Sequence, residues 1–319
     1  MIYSTLGRTG LQVYAIGFGA APLGNEYGEV SAREAKRTVD YAIERGINIF
    51  DTSPYYGRTL SETRLGEALV GYRDKVLIAT KAGRYDKGLP HGFDFSPARL
   101  TRSIEESLGR LKTDVIDVYQ LHDIEFGNKE QILAEALPTL QKLKESGKVR
   151  FIGVTGFPLP LLRDVVRAFD VDAVLSYCHY NLMNTTLDDV LTPVVEEKGI
   201  GLMNASALHM GILTDQGAPA WHPAPPKVHE MGRRVARYCR EQGSNITSLA
   251  LQFAFQHPVV ATTLVGMRNV AEVDHNLSLL GTGPDPDLLA EVQQMIEPVK
   301  DISWPSGHPE YYEPDVRSG

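Results

Sequence analysis

The sequence predicts an α/β protein built as one closed (β/α)8 TIM barrel, and three observations carry that expectation. Eight short runs rich in apolar and β-branched residues recur along the whole length, each followed by a longer segment with helical spacing. The chain has 319 residues, enough for one large core, and no linker or break in composition divides it, so residues 1–319 are expected to form a single domain. The rival architecture, a doubly wound sheet, lacks its phosphate-binding opening. Gly17-Phe18-Gly19-Ala20-Ala21-Pro22 has proline where the third glycine of G-x-G-x-x-G belongs.

The eight expected strands are Ala15–Phe18, Ile47–Phe50, Val76–Ala79, Val115–Tyr119, Phe151–Val154, Ala173–Ser176, Gly201–Asn204 and Ala261–Leu264. Continuous apolar runs of this length suit parallel strands covered on both faces. Between the first two, Ser31 and Glu34 form a capping box that opens a helix with Ala35, Val39, Ala42 and Ile43 on one face, and Gly46 closes it. After the third, Ser96 precedes an N1 proline, Pro97, and Leu100, Ile104 and Leu108 follow at four-residue spacing. Further helical stretches run over 130–145, 159–169, 187–197, 227–241, 246–255 and 271–279. The one irregular insertion, 215–226, holds Trp221 and four prolines after the seventh strand, where a barrel carries an active-site loop.

Composition excludes several classes. Lys plus Arg number 32 against 40 for Asp plus Glu, and the net charge of −8 disfavours nucleic acid and anionic lipid as partners. The most apolar long stretch, 246–266, is interrupted by Gln252, Gln256, His257 and Pro258, so no membrane span is expected. The two cysteines, Cys178 and Cys239, are too far apart for a metal or redox motif, and no secretory signal opens the chain; a cytoplasmic location is expected. The nine histidines include no H-x-H or H-E-x-x-H spacing, so no metal is expected.

Barrel enzymes place reacting groups at the carboxyl ends of strands. Asp51 ends the second expected strand, Tyr56 follows in the same loop, Lys81 ends the third and His122 the fourth. Each has an ordinary structural reading: loop packing for Tyr56, a buried ion pair for Asp51 and Lys81, a satisfied core histidine for His122. Their placement on successive strand ends favours a site. A phenol beside an ammonium can exchange a proton, its neighbouring carboxylate can hold that ammonium, and an imidazole can orient a carbonyl or carbinol oxygen. No side chain accepts a hydride, so a nicotinamide cofactor is required for redox chemistry at that carbon.

Over essentially its whole length the chain resembles the aldo-keto reductase family. The likeness rests on Gly46-Ile47-Asn48-Ile49-Phe50-Asp51-Thr52-Ser53-Pro54-Tyr55-Tyr56-Gly57, on Ser61-Glu62 and Leu65-Gly66, and on Lys81 and His122. The resemblance implies a catalytic tetrad of Asp51, Tyr56, Lys81 and His122, with Tyr56 as acid/base and Tyr56 and His122 contacting substrate. Further stretches, among them 122–127, 175–180, 213–217, 221–224 and 304–307, are similar to members that oxidise a sugar at C1. The implied reaction is therefore NAD-dependent oxidation of L-galactose or a similar aldose to its aldonolactone. The alternatives are a related aldose 1-dehydrogenase acting on L-fucose or D-arabinose, or a reductase of small aldehydes of the pyridoxal type. The implied partner is a small sugar, with no nucleic acid and no membrane, and the sequence carries no signal for the state of assembly.

The same resemblance implies the cofactor contacts. Asp51, Thr155 and Tyr177 fall beside the nicotinamide, although Gly156 stands where the family usually has Asn and Tyr177 where it usually has Gln. Ser206, Leu208 and Gly211 fall in the loop that wraps the pyrophosphate, and Gly266, Met267, Arg268, Glu272 and Asn276 at the adenosine end. Members that prefer NADP usually carry Arg where Glu272 stands and Lys where Gly266 stands, so NAD is expected to be preferred over NADP. Arg268 argues the other way, because it can pair with a phosphate.

Overall fold

In the computed structural model, which describes residues 3–88 and 92–312, the eight expected runs close into a parallel barrel. A short antiparallel hairpin, β1 (Tyr3–Thr5) and β2 (Gln12–Tyr14), precedes it. The barrel strands are β3 (Ile16–Gly19), β4 (Ile49–Asp51), β5 (Leu77–Ala82), β6 (Ile116–Leu121), β7 (Val149–Gly156), β8 (Ala173–Tyr177), β9 (Gly201–Ala205) and β10 (Thr262–Gly266). Each pairs with the next, and β10 closes on β3 with Thr263 opposite Ile16 and Gly266 opposite Gly19. All eight sequence-based strands are present, and most extend one or two residues further toward the carboxyl end.

Alternation along the strands divides the core. Ile49, Ala79, Val118, Ala173, Leu175, Met203 and Leu264 fill the barrel interior, while Phe18, Phe50, Ile78, Tyr119, Ile152, Val174 and Leu202 face the helices. The hairpin plugs the amino-terminal end: Leu6, Leu11 and Val13 join the interior cluster, and Asn48 ties the hairpin down through the Tyr14 amide and the Gln12 carbonyl. Its three-residue strands are too short for apolar alternation to reveal them in the sequence.

Both sequence-based N-caps are present, with Ser31 accepting from the Glu34 amide and Ser96 from the Arg99 amide. Two helices carry breaks that the spacing did not show. The stretch 130–145 contains a π turn, Ile132–Ala136, just ahead of Pro138, which has no amide hydrogen to continue the ladder. The stretch 187–197 is two short helices, Thr186–Val190 and Thr192–Lys198, and Pro193 lies at the start of the second. Two further helices, Leu60–Ala68 and Pro286–Ile296, were not expected. In the first, buried Ser61, Glu62 and Gly66 break the apolar pattern that marks a helix. No helix of the described residues is long and apolar enough to cross a membrane.

Candidate active site

Asp51 is the last residue of β4, Lys81 is the fifth of six in β5, and His122 follows directly on β6, so three neighbouring strands deliver them to one rim. All three are buried. The Lys81 ammonium donates to Asp51 Oδ1 at 2.5 Å and to the Thr52 carbonyl at 2.8 Å. It also lies 5.0 Å from the centroid of the Tyr56 ring, and that ring meets His122 edge-on at 5.7 Å. The structure therefore brings all four expected tetrad residues together.

A second row fixes this rim from outside. The hydroxyls of Thr52 and Ser61 lie 2.8 Å apart, and Ser61 donates on to the Ala20 carbonyl. Thr80, beside Lys81, donates to Glu62, whose other oxygen takes Arg110 at 2.6 Å. Ser61 and Glu62 thus use the helix Leu60–Ala68 to brace the residues adjacent to Asp51 and Lys81. Gly66 lets this helix approach closely, since a Cβ there would fall 2.1 Å from the Arg110 carbonyl oxygen.

The Tyr56 loop is set by backbone contact. Gly57 has φ +61°, and a Cβ on it would lie 2.3 Å from the Gly24 carbonyl oxygen; a Cβ on Gly24 would in turn meet the Tyr56 backbone at 2.7 Å. Only bare backbone fits on both sides. The Gly57 amide also donates to Glu26. Burial, then the carboxylates of Asp51 and Asp123, holds Tyr56 well above the ordinary phenol range, with Arg84 pulling it back. In the resting protein Tyr56 is therefore a neutral phenol. Burial likewise raises the Asp51 carboxyl, against the pull of Lys81. His122 is pushed well below its usual range by burial and by the Lys81 and Arg84 cations, so its ring is neutral.

Residues not singled out for roles from the sequence complete the rim. Arg84 pairs with Asp123 and stacks 3.7 Å over the Tyr55 ring, a second, partly buried ion pair beside the first. Glu125 is fully buried, and its Oε1 accepts from the Phe157 amide, the Ser306 hydroxyl and, at 3.4 Å, the Tyr177 hydroxyl. Its backbone carbonyl takes the His308 amide, and Tyr311 bonds the Gly127 carbonyl, so the carboxyl-terminal segment is strapped to this loop. Trp304 anchors the strap against Phe157 at 4.9 Å and His209 at 5.2 Å. The signal for these residues was their local motif, 122–127, together with 304–307, whose mutual contact no spacing could show.

Burial and the Asp123 carboxylate push Glu125 up to about 8 from 4.5. The folded chain therefore keeps a proton that the unfolded chain has lost, so this group makes stability fall as pH rises from about 4.5 to about 8. Glu125→Gln is expected to flatten that decline in a series of thermal melts across this pH range. An unchanged slope would remove Glu125 as its source.

The expected cofactor residues line one side of the same mouth. Thr155 is buried at the inward-facing end of β7, and Tyr177 ends β8 opposite Ala205 with its ring against Phe157. Glu125 Oε2 lies 2.8 Å from where a Gly156 Cβ would stand, so the carboxyl fills the space a side chain there would need. Ser206, Leu208 and Gly211 belong to a loop curled by left-handed backbone at Ser206, His209, Met210 and Gly211. Gly266 is exposed beside Gly19; a Cβ on Gly19 would be 3.2 Å from the Val265 backbone, and one on Gly266 would be 3.0 Å from the Pro22 ring. The Met267 side chain is in the core, so this residue offers the mouth only its backbone. Glu272 accepts from the Arg268 amide at 2.8 Å and its guanidinium at 2.7 Å, and Asn276 is buried one turn further along the helix Val270–Ser278.

Residues 15–297 match the model of the Aldo/keto reductase family. The chain is similar to the L-galactose dehydrogenase of Arabidopsis thaliana, 47% identical over 95% of this chain and 96% of that one. It is 30% identical to a D-threo-aldose 1-dehydrogenase of a Pseudomonas species, over 89% of this chain and 94% of that one. Among solved structures, an aldo-keto reductase of Bacillus halodurans in its holo form superposes with a TM-score of 0.79 at 26% identity, covering 98% of this chain and 100% of that one.

Proposed function

The chain belongs to the aldo/keto reductase family, and from that premise we propose that it oxidises the anomeric carbon of L-galactose, or of a stereochemically similar aldose, to the aldonolactone with NAD. The observation that carries the reading is the meeting of Tyr56, His122 and the Lys81–Asp51 pair at one rim. The relative that is 47% identical supports the sugar.

In this reading His122 holds the C1 oxygen, and Tyr56, once it has released its own proton to solvent, takes the proton of the C1 hydroxyl as the C1 hydrogen departs as hydride. The O–H and C–H bonds break, the C=O bond forms, and an aldose becomes a lactone. Lys81, held by Asp51, keeps a positive charge beside the phenol while it carries or releases that proton. A bound oxidised nicotinamide supplies the hydride acceptor. The residues present fit a dinucleotide: exposed Gly266 at the end of β10 offers its backbone at the mouth, and the curled loop at Ser206 to Gly211 follows the neighbouring strand β9. Thr155 and Tyr177 would hold the nicotinamide end, and Arg268, Glu272 and Asn276 the adenosine end.

The preference for NAD follows from Glu272. Its carboxylate occupies the Arg268 guanidinium, so that cation is not free for a 2′-phosphate, and the carboxylate itself can accept from ribose hydroxyls. A panel of aldoses in both enantiomeric series, assayed with NAD and NADP by absorbance of the reduced cofactor, tests substrate and cofactor together. L-Galactose is expected to lead with NAD, and Glu272→Ala to narrow the gap by raising kcat/KM for NADP. If NADP matches NAD in the unaltered protein, the role of Glu272 falls; if no aldose is oxidised, the sugar assignment falls.

A further inference from the structure

Ser53 lies two residues beyond Asp51, is fully buried, and its hydroxyl oxygen sits 2.9 Å from His122 Nδ1. A serine and a neutral imidazole can share such a bond in either direction. Three features decide which. The Ser53 oxygen already accepts from the Tyr55 amide at 3.1 Å, and among the described residues its hydroxyl meets no other acceptor, so donating to Nδ1 satisfies a proton that would otherwise be buried unpaired. On the far side of the ring, His122 Nε2 stands 3.8 Å from the Asp123 carboxylate, which favours an N–H over a lone pair. Lys81 and Arg84, both close by, disfavour a second ring proton.

We propose that Ser53 is a positioning residue that locks His122 as the neutral tautomer protonated on Nε2, so that this nitrogen acts as a fixed hydrogen-bond donor to the substrate oxygen. The proposal rests on the reading of His122 as the group that holds that oxygen. It gives Ser53 a reason to be a hydroxyl residue: an alanine would pack in the same place but leave Nδ1 without a donor, and the ring free to move its proton to the nitrogen that faces away from the substrate.

The test is nitrogen NMR on the full chain labelled with 15N-histidine, with His122 assigned by its absence in His122→Gln. The unaltered protein is expected to show a protonated Nε2 and an unprotonated Nδ1 at His122, and Ser53→Ala a mixture of both tautomers. With any aldose the protein turns over, Ser53→Ala is expected to lose about tenfold in kcat/KM, the worth of one hydrogen bond, with cofactor binding unchanged. Ser53→Thr, which keeps the hydroxyl, is expected to restore the single tautomer. A protonated Nδ1 in the unaltered protein overturns the proposal, as does an unmoved tautomer in Ser53→Ala. The spectrum needs no substrate, so a wrong sugar assignment leaves this readout standing.

Discussion

Tyr56→Phe is expected to lower aldose oxidation by roughly 10²- to 10⁴-fold, the usual worth of a positioned acid/base group, while the dinucleotide still binds. The substitution removes one oxygen and leaves the ring between Lys81 and His122, so the loop that Gly24 and Gly57 fix keeps its course. The pH profile of the unaltered protein supplies a second readout. Burial and the Asp51 and Asp123 carboxylates keep the Tyr56 proton on, and oxidation needs it off; the oxidation rate is therefore expected to climb toward alkaline pH and reduction of the lactone to fall. Initial rates by cofactor absorbance, with cofactor titration by fluorescence, check both. Turnover that survives in Tyr56→Phe would end the assignment of Tyr56.

Lys81→Met has the other large effect, and it reaches stability as well as rate. It strands the Asp51 carboxylate, already buried, without its partner, and breaking a buried pair in this way costs about 3–5 kcal/mol. Adding Asp51→Asn removes the stranded charge, so the double variant is expected to recover most of that loss in denaturant unfolding while turnover stays low. Additive losses in the double variant would mean that the pair does not act as a unit.

The barrel and its rim were legible because both rest on short-range signals. Each strand is a local apolar run, and a barrel puts the residue after the run at the mouth, so Asp51, Lys81 and His122 could be placed without coordinates. What stayed hidden depends on contacts between distant segments. The pairing of Arg84 with Asp123, the strap that joins Ser306 to Glu125, and the bond from Ser53 to His122 link residues whose separations carry no period. The ionisation of Tyr56 is not legible in the sequence for a related reason. Lys81 alone argues for an acidic phenol, but burial and two carboxylates outweigh it, and burial is a property of the finished barrel.

Ser61 and Glu62 bond to no tetrad side chain among the described residues, yet each holds the residue beside a tetrad member. A genetic screen for lost activity would therefore collect missense changes at both positions among true active-site lesions. Kinetics would separate the two groups, since lesions at Ser61 and Glu62 loosen the scaffold and should weaken with falling temperature or added osmolyte, whereas removal of a reacting atom should not.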